Sequence, residues 1–366
     1  MKSAIVKFKR FLRSQGRLIT TQPLSQSVPA RSDYAQTEGL EHLGQRVLIR
    51  KLYLLINSQL NNLKNCANGK WKKGLWIYDR TSQIGDSLMD LSCRSVLNEL
   101  GLEIDLLCKE NIKDLYYGDS WFHQVFSDPN DCQNQKYDFV IIQSIHQRAL
   151  RRKIKYFKSL PWVCIQGFYD VPDFARAQFG VERIRDLWSI KHQIADYHAK
   201  QKINLEPITV RKDRLRLAFA LGGMDKVRTY TKWGEVFGKL QLPATTQITL
   251  LGTGEGAASQ SIDISTKFSK LNIINKVNKT NLDDVKKILS IQDLLICPDG
   301  GLMHLGVACN TTKIVALFIN TIPPLYRLPN HYIDASITSN TELVDDIEPT
   351  IIGDRINEIS VSLVTN

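Results

Sequence analysis

No apolar run in the sequence approaches the ~20 residues that a bilayer-spanning helix requires. "DFVII" and "KIVALFI" are typical of what it offers, so no transmembrane segment is expected. It also has no CxxC or CxxH cluster. Its seven cysteines (66, 93, 108, 132, 164, 297 and 309) are scattered, and an odd number leaves at least one unpaired. That usage argues against a zinc site and favours a reducing compartment. Internal repeats at a short period and low-complexity tracts are missing too. "GTGEG" (252–256) lacks the G-x-G-x-x-G spacing of a dinucleotide fingerprint. Near the start, Lys7, Lys9 and Arg10 interrupt the apolar residues, so a secretory signal is not expected.

What is present is an ordinary globular composition, 43% hydrophobic and 23% charged, over 366 residues. That length suits two domains of ~100–200 residues each. The net charge of +11 lies wholly in residues 1–73, which carry 14 Lys/Arg against 3 Asp/Glu, while the rest balances at 34 against 34. The basic field therefore belongs to an N-terminal extension, and the neutral body is not expected to bind nucleic acid. Within the extension Ile5, Phe8 and Leu12 recur at helical spacing, with Lys2, Lys9 and Arg13 elsewhere on the turn. Two readings fit: a helix lying on an anionic membrane face, and a solvated basic arm. A second helical segment, Arg46 to Leu63, places Leu48, Leu52, Leu55 and Leu63 near one face.

From Lys73 onward, short β-rich runs alternate with helical stretches, which predicts a doubly wound α/β architecture. "GLWIYD" (74–79), "EIDLLC" (103–108), "YDFVIIQS" (137–144) and "WVCIQG" (162–167) read as strands of a first sheet. "SLMDLSCRSVLNEL" (87–100) reads as a helix stopped by Gly101. A second set begins with "RLRLAFALGG" (214–223) and continues through "QITLLGTGEG" (247–256), "LNII" (271–274), "DLLIC" (293–297) and "KIVALF" (313–318). "TNLDDVKKILSI" (280–291) reads as a helix capped by Thr280 or Asn281. The charged, helix-patterned segment 168–213 reads as the linker region.

Two stretches carry candidate chemistry. In "ICPDGGLMHLGVA" (296–308) a strand ends in an acid, two glycines and a histidine. Ligands of open parallel sheets sit beyond the carboxyl ends of the strands, where helix N–H groups are free. Gly300 and Gly301 would let backbone approach a phosphate, Asp299 would cap the helix, and His304 would project from its first turn. A tight turn with a half-buried His fits equally. In "YDRTSQIGDSLMDL" (78–91) a strand runs through Gly85 to Asp86 at a helix start, a position equally suited to a cap. Both motifs hold the same place in their own halves, which directs both at one cleft.

In order and spacing, "IGDSLMDL", "LGGMDKVRTYTKWGEVFGKL" and "NKTNLDDVKKILSIQDLLICPDGGLMHLGVACNTTKIVALF" resemble glycosyltransferase family 9, the bacterial heptosyltransferases of lipopolysaccharide assembly. The resemblance spans about residues 74–330. It implies a GT-B fold of two Rossmann-like domains facing a cleft, 74–205 on the acceptor side and 206–366 on the donor side, behind the basic extension 1–73. It implies inverting transfer without a metal or other cofactor, with ADP-heptose as donor and the lipopolysaccharide or lipooligosaccharide inner core as acceptor, at the cytoplasmic membrane face. Carried over residue by residue, Asp86 is the general base, flanked by Gly85 and Ser87 in the acceptor-side loop. Lys232 neutralises the diphosphate. Asp299, Gly300, Gly301 and His304 form the nucleotide-sugar site with Gly222 and Gly223, and Thr321 approaches it from "NTIPPLYRLP" (320–329).

An inverting transfer needs a base opposite the departing diphosphate and a cationic, N–H-rich pocket around it, and these residue types supply both. No DxD-type pair stands where a metal-dependent transferase would use one; "DD" at 283–284 falls within a helix pattern. The chain departs from the family's usual pattern in having Gly300 for Ser or Thr, Ser92 for Pro, and the basic extension. Another donor, a protein acceptor, or a non-catalytic sugar-nucleotide binder are the rival readings. Trp233 reads as a core residue. "HQRALRRKIK" (146–155) reads as either a contact for an acidic acceptor or a solvated helix face.

Overall fold

The computed structural model describes residues 2–79, 83–145, 147–191, 214–223 and 225–365. Its packing divides the chain into two compact units, Met1–Gln83 with Met89–Ala199, and Ile84–Leu88 with Lys200–Asn366.

The first unit is built on five strands: β1 (Lys73–Ile77), β2 (Glu103–Leu107), β3 (Val125–Phe126), β4 (Phe139–Ile142) and β5 (Trp162–Cys164). They pair in the order β3-β2-β1-β4-β5, and every pairing is parallel. Helices cover both faces of such a sheet, which is why its inner strands are near-continuous apolar runs. Leu75, Ile77, Leu107, Val140, Ile142 and Trp162 share one buried cluster.

The second unit has six strands: β6 (Arg216–Ala220), β7 (Gln247–Leu251), β8 (Asn272–Asn275), β9 (Leu294–Pro298), β10 (Lys313–Phe318) and β11 (Ile337–Thr338). Their order is β11-β10-β9-β6-β7-β8, again all parallel. Successive strands step outward from β6 in one direction and from β9 in the other. The reversal lies between β6 and β9, where a ligand crevice opens in this class of sheet. Asn281 caps the Leu282–Ser290 helix in a capping box with Asp284. Trp233 is buried against Tyr230 and Phe219.

The apolar runs marked the longer strands, and the two-residue strands β3 and β11 are additions. Four expectations need correction. The helix expected over 87–100 is two, Ile84–Asp90 and Arg94–Glu99. The break comes where the buried Arg94 turns its guanidinium to the Leu91 carbonyl (3.0 Å) and to Asp119 (2.6 Å). The 168–213 segment is no simple linker: Arg176–Leu187 is a helix whose Phe179, Val181, Ile184 and Leu187 are buried in the first unit. Residues 192–213 of that segment lie outside the described residues.

The extension also differs from a loose arm. Lys2–Thr20 and Leu40–Ile56 are helices. Arg46 and Arg50 both reach Asp170, at 2.7 and 2.6 Å, and Leu54 enters the sheet's apolar cluster. The buried side of Leu40–Ile56 carries Leu43, Val47 and Leu54, whereas Leu52 and Leu55 face outward. The leucine stripe read from spacing is therefore mostly the outer one. All seven cysteines are free, and only Cys66 is exposed. Burial pushes the thiols of Cys93, Cys108, Cys132, Cys164 and Cys309 up to about 12, and Cys297 in the same direction.

The two extension helices meet at glycines. A Cβ on Gly44 would sit 2.0 Å from the Leu12 carbonyl oxygen, and one on Gly16 would sit 2.1 Å from that of Leu40. Those pairings run the helices antiparallel and leave no room for a side chain. Gly44→Ala should therefore force them apart and lower stability by about 1–3 kcal/mol. Urea denaturation with hydrogen exchange of residues 2–20 would check this; an unchanged midpoint and unchanged protection would refute it.

Candidate functional site

The site is assembled where β6, β9 and β10 end. Asp299 follows β9, and its N–H donates to the Leu317 carbonyl of β10 at 2.9 Å, which fixes it at the sheet's carboxyl edge. Because β6 and β10 are the two neighbours of β9, the loops after them are the ones that reach Asp299. Arg228, in the loop after β6, brings Nη1 to 3.6 Å from Asp299 Oδ2. Arg327, in the loop after β10, brings Nε to 3.8 Å from the same oxygen. His304, one turn into the Gly301–Ala308 helix, sets Nε2 3.8 Å from Asp299 Oδ1.

These distances hold charges together, and among the described residues Asp299 Oδ2 is a buried acceptor with no donor at close hydrogen-bond distance. Burial raises the Asp299 carboxyl above the usual range, Arg327 and Arg228 oppose the rise, and Asp86 adds to it. A buried acceptor lined by cations, at the reversal of a parallel sheet, suits a ligand that brings both hydroxyl donors and negative charge.

Asp86 arrives on the first turn of the Ile84–Asp90 helix, and residues Ile84–Leu88 belong by packing to the second unit. A Cβ on Gly85 would sit 2.6 Å from His304 Cδ2, so glycine is what allows that turn to lie against the His304 ring. Gly301 faces the same turn, its Cβ position 3.7 Å from Ile84 Cβ. The Ser87 hydroxyl is buried and donates to the Ile84 carbonyl at 2.8 Å, so it braces the turn from inside.

Of the residues read from sequence, Asp86, Gly85, Asp299, Gly301 and His304 thus come together. Gly300 is the extended residue before the helix, and a Cβ there would meet only the Pro298 carbonyl, at 3.8 Å. Space does not dictate the missing hydroxyl. Gly222 takes a left-handed φ of 84°. Gly223 lies against Thr229 and the Arg228 carbonyl, where a Cβ would be 2.8 and 3.2 Å away. The glycine pair therefore shapes the loop that delivers Arg228.

Lys232 stands at the start of the Trp233–Phe237 helix, and the ion pairs at Asp299 do not include it. Thr321 is exposed in the turn after β10. Arg327, further along that loop, is the residue that reaches the site. In the basic run 146–155, His146 lies outside the described residues, Arg152 pairs with Asp79 at 3.2 Å, and Lys153 is buried.

Arg228 and Arg327 are the two site residues that sequence reasoning missed. The available signal was topological: each is a cation in the loop after a strand that borders β9.

Residues 176–344 match the family model for Glycosyltransferase family 9 (heptosyltransferase). No curated protein matches the sequence. Among solved structures, the chain is similar to E. coli heptosyltransferase WaaC with ADP, at 16% identity and a TM-score of 0.57, over 80% of this chain and 100% of that one. It is similar to E. coli ADP-heptose lps heptosyltransferase II at 14% identity and a TM-score of 0.61, over 79% and 99%. A family 9 glycosyl transferase from Veillonella parvula aligns at 14% identity and 0.60, over 82% and 99%. At such identities the likeness is one of fold, and the fold is GT-B.

The raised Asp299 carboxyl has a consequence for stability. A folded-state value above the ordinary one of about 3.9 means that stability falls as pH rises from there through the raised value, and stays lowered at neutral pH. Asp299→Asn should therefore melt above the parent at about pH 7, with the difference shrinking near pH 4. Thermal melts at both values would check this, and a variant that melts lower at neutral pH would overturn the reading that burial of this carboxylate outweighs its cationic neighbours.

Proposed function

We propose that this chain, a glycosyltransferase carrying the family 9 domain over residues 176–344, transfers heptose from ADP-heptose to the inner core of a lipopolysaccharide or lipooligosaccharide. Transfer inverts the anomeric carbon and uses no metal ion. The observation that carries the reading is the convergence of Arg228, Arg327 and His304 on Asp299, with the Asp86 turn packed against the same helix start.

In this reading the Asp86 carboxylate takes the proton from the acceptor hydroxyl as its oxygen attacks the anomeric carbon of the donor. The bond from that carbon to the diphosphate oxygen breaks on the opposite face, and ADP departs with the electron pair. Arg228 and Arg327 meet the charge that grows on the diphosphate, aided by Lys232 and by the free N–H groups at the start of the Gly301–Ala308 helix. Asp299 Oδ2, buried among these cations, accepts from a hydroxyl of the bound donor. Sugar, acceptor, inversion and independence of metal are carried over from the family resemblance.

Two measurements test this. Calorimetric titration should show binding of ADP-heptose in preference to UDP- and GDP-sugars, weakened about tenfold or more by Arg228→Ala and by Lys232→Ala. Binding of none of these donors would overturn the donor assignment, and a preference for another would replace it. Asp86→Asn should lower turnover about 10²–10⁴-fold while leaving the donor titration nearly unchanged. Full turnover in that variant would reduce Asp86 to a helix-start residue.

A further inference from the structure

The paired helices of the N-terminal extension leave an apolar surface uncovered. Leu12, Gly16 and Ile19 on Lys2–Thr20 form a buried seam with Leu43, Gly44 and Val47 on Leu40–Ile56. Toward the start of the first helix that burial ends. Ile5, Val6, Phe8 and Phe11 are exposed, as are Ile49, Leu52, Leu55 and Ile56 on its neighbour, each between 46% and 73%. The contacts of Gly44 with Leu12 and of Gly16 with Leu40 set the antiparallel register, and extending it brings Phe8 beside residue 48 and Ile5 beside residue 51. The two exposed groups therefore lie at the same end of the pair.

The same end is strongly basic. Lys2–Thr20 holds six Lys/Arg and no acid. Arg13 and Lys9 pair with Glu41, at 2.8 and 3.9 Å, while Lys7 and Arg10 stay exposed beside the apolar side chains and Arg17 lies in the helix's last turn.

We infer that this end of the helix pair is a docking surface for an anionic phospholipid bilayer, with the exposed apolar side chains entering the headgroup boundary and the lysines and arginines meeting lipid phosphates. Large clustered apolar side chains on a protein surface mark an interaction site. Their combination with a one-signed basic helix fits an interface of apolar depth beneath negative charge. A second copy of the chain would bring the same positive field and be repelled. A nucleic acid would meet the cations but leave the apolar side chains in water. No helix among the described residues is long and apolar enough to cross a membrane, so the contact is one of lying on the surface.

The test is co-sedimentation of the full chain with phosphatidylcholine vesicles, made with and without phosphatidylglycerol. Binding should be about tenfold stronger to the anionic vesicles and weaken as salt is raised. Phe8→Ser with Leu52→Ser and Leu55→Ser should lower it about tenfold, and so should Lys7→Glu with Arg10→Glu. All five positions are exposed, so unfolding midpoints should not move, and the charge variant tests the idea even if the apolar one misfolds. Equal binding to both vesicle types, or binding that neither variant lowers, would overturn the inference. Self-association in sedimentation velocity that the apolar variant abolishes would also overturn it, by showing that a second copy covers the face. Donor titration of the same variants should match the parent, so a failed vesicle result leaves the transferase reading standing.

Discussion

A carboxylate buried at the end of a central strand has to be held by charge from whichever loops the sheet places beside it. In the second unit Asp299 sets that demand. Removing an ion from water costs several kcal/mol even after relaxation, so the neighbours must answer it. The strand order leaves few candidates, because β9 has only β6 and β10 at its sides. Each of those strands is followed by a loop with an arginine that approaches Asp299, and the helix after β9 contributes His304. Among the described residues that answer is one of charge at 3.6–3.8 Å rather than of close hydrogen bonds. The elements around it serve that arrangement: the glycine pair at 222–223 shapes the arginine loop, and Gly85 lets the Asp86 turn lie against His304.

Much of this was legible because it is local. Strands that are buried on both faces must be apolar runs, and "GLWI", "FVII", "LLIC" and "KIVALF" name themselves. The sequence offered Thr280 or Asn281 as the cap of the Leu282–Ser290 helix, and Asn281 is the one that caps it. Of the glycines and acids singled out after the strands, Asp86, Gly85, Asp299 and Gly301 gather in space with His304. What escaped is non-local. Arg94, where the second helix begins, meets Asp119, a partner 25 residues away that no periodicity announces. Arg228 and Arg327 are surface-like residues in their own loops and become site residues only once the strand order is known. The leucines of Leu40–Ile56 repeat at helical spacing on two sides, and spacing alone does not say which side the sheet covers.

The extension shows how a charge count can mislead about architecture. Its excess of basic residues fits a helix on an anionic membrane face or a solvated basic arm, yet part of that charge is structural. Arg46 and Arg50 share Asp170 from the sheet unit, and Arg183 donates to the Pro23 carbonyl at 3.0 Å. Ser25 binds Asp186, and a backbone bridge joins Ala30 to Phe174. Residues 2–73 thus contribute to the first unit's core and surface, and the charge left for partners is concentrated on the first helix.

The state of the thiols has a practical side. Six of the seven cysteines are buried, with burial holding them protonated at neutral pH, and the thiolate is the form that reacts. Cys66 alone meets solvent, in the stretch between the extension helices and β1, with its sulfur 3.9 Å from the Ser189 hydroxyl. The unmodified chain therefore carries one address for a maleimide dye or spin label. A reporter attached there would sit in the first unit, at the edge where Ala67 donates its N–H to the Leu187 carbonyl at 2.7 Å.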